Sequence, residues 1–118
     1  MATNTVPTLE SEPTADFNHQ CVTLVQRWRA GQVPQPELLR SLDALANEAT
    51  SSGHLANQAR IAHINGYVHH YLGNLTTSMM HYERAHLLYK RVDNPLRMAT
   101  MDLNNGENYR FKGEFKRA

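Results

Sequence analysis

Asn65-Gly66-Tyr67-Val68-His69-His70-Tyr71-Leu72-Gly73-Asn74-Leu75 and, forty residues on, Asn105-Gly106-Glu107-Asn108-Tyr109-Arg110-Phe111-Lys112-Gly113-Glu114-Phe115 are the stretches that decide the fold. Four correspondences share that one offset: Gly66 with Gly106, Gly73 with Gly113, Leu75 with Phe115 and Ser78 with Ala118. A single match at a fixed spacing means little, but four in one frame identify a repeat. Periods of this size belong to stacked helical hairpins.

Each copy has a physical logic. Gly66 and Gly106 fall in mid-helix, where glycine costs about 1 kcal/mol relative to alanine. Such a residue is expected where a partner helix lies too close for a side chain. Gly73 and Gly113 follow seven residues later, placed for the left-handed conformation that ends a helix. Leu75, Tyr82 and Ala85 then resume an apolar stripe at helical spacing, giving helix, turn and antiparallel helix.

Outward from this unit, residues 1–14 are rich in Thr, Ser, Pro and Glu and lack an apolar period, so a disordered tail is expected. A first helix is predicted from Ala15 to Ala30, capped by Asp16, with Phe17, Cys21, Leu24, Val25 and Trp28 on its apolar face. Gly31 ends it. A second helix begins near Pro36, buries Leu38, Leu39, Leu42, Leu45, Ala46 and Ala49, and closes at Ser51-Ser52-Gly53. Three more helices are predicted over Leu55–Leu72, Leu75–Val92 and Leu96–Lys112, the last announced by Asn94-Pro95. Phe115-Lys116-Arg117-Ala118 then reads as the opening of a sixth. The domain 15–118 thus divides into a degenerate repeat (15–53), a full repeat (54–94) and an incomplete one (95–118). Without a partner helix, Leu103, Tyr109 and Met101 would be half covered.

The residues of the second and third units resemble the tetratricopeptide repeat (TPR) family. Gly66, Gly73, Ser78, Tyr82 and Ala85 stand where that family places small, Gly, small, aromatic and Ala. Gly106, Tyr109, Gly113, Phe115 and Ala118 fill the corresponding places of the next copy. The departures are His69, Leu75 and a period of forty instead of about 34. Longer helices of this kind are similar to TPR variants of bacterial signalling proteins. The resemblance implies an all-α, right-handed stack of antiparallel hairpins with about five helices here. It also implies a concave groove that binds a protein or peptide. The groove positions it implies are Arg60, His63, Tyr67, His70 and Tyr71 from one repeat. The next repeat contributes Thr100, Leu103, Glu107, Arg110 and Phe111. The family's clamp for a terminal carboxylate is incomplete, since Asn104 fits it but His63 and Tyr67 do not.

Composition bounds the alternatives. An apolar content of 41% is slightly low for a globular domain, which suits an elongated stack. The single cysteine, Cys21, excludes an internal disulfide and favours a reducing compartment. No apolar run approaches a membrane span, and the first residues lack the order of a secretory signal, so no membrane partner and a cytoplasmic setting are expected. Residues 1–59 hold three basic and six acidic residues, and residues 60–118 nine and five, for charges of −3 and +4. No Lys/Arg cluster is dense enough for phosphate contacts, which argues against nucleic acid.

Catalytic chemistry finds little support. Of seven histidines, His63 and His70 share a helix face, the basis of a weaker alternative as a metal-dependent enzyme. There is no Cys pair, no His-Glu-x-x-His and no acidic residue among residues 61–82. Cys21 sits on an apolar face as a packed thiol, and neither a nucleophile elbow nor a phosphate-binding Gly-rich loop is present. No active site and no cofactor are expected. The expected role is a protein-binding scaffold within a larger bacterial regulator. The alternative is self-association through the open C-terminal helix.

Overall fold

Residues 55–91 form two antiparallel helices joined by a tight turn. In the computed structural model, which describes residues 10–117 and side chains as far as Gly113, five long helices follow one another. They are α1 (Ala15–Arg29), α2 (Gln35–Ser52), α3 (Leu55–Tyr71), α4 (Leu75–Arg91) and α5 (Pro95–Arg117). No strand occurs among the described residues, and short turns make successive helices antiparallel neighbours in an elongated stack of 59 × 31 × 21 Å.

Gly73 closes α3 at φ 84°, with the Asn74 amide donating to the His69 carbonyl at 2.8 Å. That backward bond satisfies a carbonyl the helix end leaves free. The turn after α1 has the same form, with Gly31 left-handed and the Gln32 amide donating to the Arg27 carbonyl at 2.9 Å. After α4 it is Asp93 that takes a positive φ of 56°, and the Asn94 amide donates to the Tyr89 carbonyl. Asp tolerates that conformation better than most side chains, through local hydrogen bonding.

α3 is the central element because it is buried on two faces, one toward each core. Ile61, Ile64 and Val68 join Phe17, Cys21, Val33, Leu38, Leu42, Leu45 and Ala49 in one core. Ala59 and Ala62 join Tyr82, Ala85, Leu88, Tyr89 and Met101 in a second. Burying a side chain of this kind contributes roughly 1.5–3 kcal/mol, and both cores depend on one helix. Burial also pushes the Cys21 thiol up to about 11, which keeps it protonated.

Four expectations require correction. Thr14, not Asp16, caps α1, its hydroxyl accepting from the Phe17 amide at 3.3 Å. Asp16 lies inside the first turn, where its charge suits the helix dipole. Of the expected tail, residues 1–9 lie outside the described residues, but residues 11–14 are tied down. The Thr14 amide donates to Asn57 Oδ1 at 2.9 Å, Asn94 Nδ2 donates to the Ser11 carbonyl at 2.8 Å, and Glu12 pairs with Arg97 at 2.7 Å. Met101 is buried, not half covered.

The fourth concerns the C-terminal end. α5 runs unbroken through Gly113 to Arg117, so no sixth helix opens at Phe115. Gly113 does not take a positive φ. The uninterrupted helix keeps the backbone hydrogen bonds that a break at Gly113 would open. Ala118 lies outside the described residues.

Candidate functional site

α1 and α3 lie side by side and leave a cleft of about 260 Å³ between them. Val22, Val25 and Ile64 form its apolar floor, and Gln26, Arg60, His63 and Tyr67 its polar wall. Val22 and Gln26 belong to the face next to that helix's buried stripe, about a quarter-turn round from Phe17 and Cys21.

Arg60 anchors the wall. Its Nε donates to Asn18 Oδ1 at 2.8 Å, and one terminal nitrogen lies 3.0 Å from His63 Nδ1. A guanidinium only donates, so Nδ1 accepts and His63 is the neutral tautomer with its proton on Nε2. Burial first, then Arg60 and Arg97, push the His63 imidazole down to about 4. Above pH 6.5 the ring is neutral in both folded and unfolded chains. As pH falls from about 6.5 to 4 the unfolded chain takes up a proton that the folded one refuses, so stability drops across that window. His69 and His81, stacked at 5.5 Å, are also lowered by burial and act in the same direction. Urea midpoints measured from pH 7 to 4 are expected to decline, with a shallower decline in His63→Gln.

At the far end of the cleft Arg29 of α1 donates to the Tyr67 hydroxyl and lies 5.4 Å from the centre of the Tyr71 ring. Tyr67 and Tyr71 are themselves in tilted contact at 4.8 Å. Arg29 and Arg60 thus have neutral hydrogen-bond partners, and among the described residues no carboxylate lies within ion-pair distance of either.

The ten positions implied by the family resemblance therefore divide. Arg60, His63 and Tyr67 share the cleft, with Tyr71 at its end. His70 turns toward α5 instead, its ring 5.3 Å from Phe111 and its Nδ1 2.7 Å from Asn108 Oδ1. Glu107 and Arg110 pair with each other at 2.7 Å on the surface of α5. Thr100 bonds back to the Leu96 carbonyl, and Leu103 is 74% exposed. The contributions from α1 were missed because the Pro-containing first turn blurs the repeat alignment there. A second polar and aliphatic stripe at Asn18, Val22, Gln26 and Arg29, spaced by four, four and three, was the available signal.

Asn108 was also missed. It is fully buried, and its Nδ2 donates to Ser78 Oγ at 2.9 Å. Ser78 donates in turn to the Gly66 carbonyl at 2.6 Å. With its Oδ1 accepting from His70, Asn108 ties α5 to α3 and α4 together.

His63 and His70 engage different neighbours, and among the described residues no group of three or more His, Cys, Asp or Glu is placed so that it could hold a metal ion. No helix among them is long and apolar enough to cross a membrane. No protein-family model, curated protein or solved structure matches the chain.

Proposed function

We propose that the chain is a non-catalytic, TPR-like binding module that holds an extended peptide segment of a protein partner in the α1–α3 cleft. The setting would be a cytoplasmic bacterial regulatory protein. The observation that carries the reading is the cleft itself, an apolar floor with arginine, amide, imidazole and phenol groups along one side. At about 260 Å³ it lies below the roughly 300–1,000 Å³ of small-molecule sites, a size suited to one or two peptide side chains. Tyrosine and arginine are among the residue types that dominate binding energy where they line a pocket.

Arg60→Ala would be a poor test, because Arg60 bridges α1 to α3 through Asn18. Tyr67→Ala and Val22→Asp are cleaner, since both residues line the cleft and are only partly buried. Peptides selected from a random display library on the intact chain are expected to lose about tenfold or more in affinity for each variant. Helix content by circular dichroism should stay unchanged. Selected peptides that bind both variants as tightly as the parent would overturn the reading.

A further inference from the structure

α4 rests on α3, with α2 bordering a small hollow beside it, and the same α3 surface recurs forty residues later on α5 with no helix upon it among the described residues. In the occupied seat Ala59 and Ala62 are buried against Tyr82, Ala85, Leu88 and Tyr89. The Tyr82 ring lies across Gly66 so closely that a Cβ there would stand 2.6 Å from Cδ1. Forty positions on, Ala99 and Asp102 are exposed, and a Cβ on Gly106 would meet nothing within 4 Å. His69, stacked on His81 in the first seat, becomes Tyr109, which is 65% exposed.

The hollow beside these residues repeats as well. Between α2, α3 and α4, Ala46, Ala62 and Asn65 surround His81 and Arg84 and leave about 80 Å³. Between α4 and α5, the equivalents His86, Asp102 and Asn105, with Glu83, Gly106 and Tyr109, line about 400 Å³. Two small residues have become a histidine and a carboxylate, His86 Nδ1 lying 3.0 Å from Asp102 Oδ1, and Glu83 adds a second carboxylate.

We propose that the α4–α5 face is a docking seat for one further helix, a basic amphipathic segment of a partner protein that lays an aromatic side chain over Gly106. The register of α4 on its own seat specifies the occupant. Two residues after the aromatic comes a cation, as Arg84 follows Tyr82, and it falls beside Asp102. Three residues after the aromatic comes a small side chain, as Ala85 does. A second copy of this chain suits the seat poorly. Two such faces brought together would place four carboxylates, Glu83 and Asp102 of each copy, in one interface, and like charges across an interface are repulsive. The seat lies on helices other than the α1–α3 cleft, so it stands or falls independently of the peptide-binding reading.

The test uses the intact chain and a fluorescein-labelled peptide copying Leu75–Arg91, locked as a helix between its Thr76 and Met80 positions, both exposed in α4. Fluorescence anisotropy is expected to show saturable binding that weakens about tenfold or more in Gly106→Leu. Arg84→Glu in the peptide is expected to weaken it comparably, and Tyr67→Ala in the chain to leave it unchanged. Asp102→Lys provides a second variant should Gly106→Leu alter the fold. Absence of saturable binding, or equal binding to Gly106→Leu and Asp102→Lys, would overturn the proposal. A dimer of the chain alone that Gly106→Leu dissociates in light scattering would make the second copy the occupant and overturn it too.

Discussion

Gly66→Leu is expected to destabilise the fold by about 3 kcal/mol, while the same substitution at Gly106 is expected to stabilise it slightly. At Gly66 even a Cβ would stand 2.6, 2.7 and 2.9 Å from three ring carbons of Tyr82, which is itself buried. The ring has nowhere to retreat, since Ala59, Ala62 and Ala85 pack around it. Overpacking of this kind costs roughly 1–3 kcal/mol, occasionally more, and a leucine adds three further carbons to the clash. Helix propensity returns less than 1 kcal/mol. At Gly106 the clash is absent and only the propensity gain remains. Thermal melts should therefore separate the two variants by something on the order of 10 °C. Equal melting temperatures would mean that the two glycines do not occupy distinct environments.

Asn108→Ala is expected to cost about 2–3 kcal/mol, the second large effect. The substitution opens a cavity at a fully buried site and removes the acceptor of His70 and the donor to Ser78. Leaving buried polar partners unmatched costs roughly 1–3 kcal/mol, more than an average hydrogen bond contributes. Ser78 keeps its bond to the Gly66 carbonyl, so the loss spreads through a network instead of one pair. A double-mutant cycle of Ser78→Ala with Asn108→Ala should show a coupling of about 0.5 kcal/mol or more. Chemical denaturation supplies both numbers. Additive losses would mean that Asn108 contributes through packing alone.

The two sites also show what the sequence could convey. The sequence pattern located Gly66, Gly73 and, except for the end of α5, the helix boundaries to within a residue or two, because close packing and left-handed turns restrict which residues fit. It could not show that Gly106 lacks a neighbour, since a glycine reads the same whether or not a helix covers it. Nor could it show that Gly113 continues a helix, because a glycine at that spacing reads the same whether a helix ends or runs on. Asn108 broke the apolar pattern at a position where the previous copy has Val68, a legible signal that was passed over. The cleft was legible from one side only. Arg60, His63 and Tyr67 followed from the repeat, whereas Val22, Val25 and Gln26 required knowing how α1 sits against α3. Residues 11–14 looked like tail because their bonds are to Asn57, Asn94 and Arg97, far away in sequence.

The central claim is that one repeat surface occurs twice, filled by α4 and open on α5. Amide hydrogen exchange of the intact chain, with and without the locked Leu75–Arg91 peptide, tests it most directly. Added protection is expected along α5 from residue 99 to 113 and along the second half of α4, with none in α1. Protection confined to α1 and the facing side of α3, or no protection anywhere at saturating peptide, would contradict it.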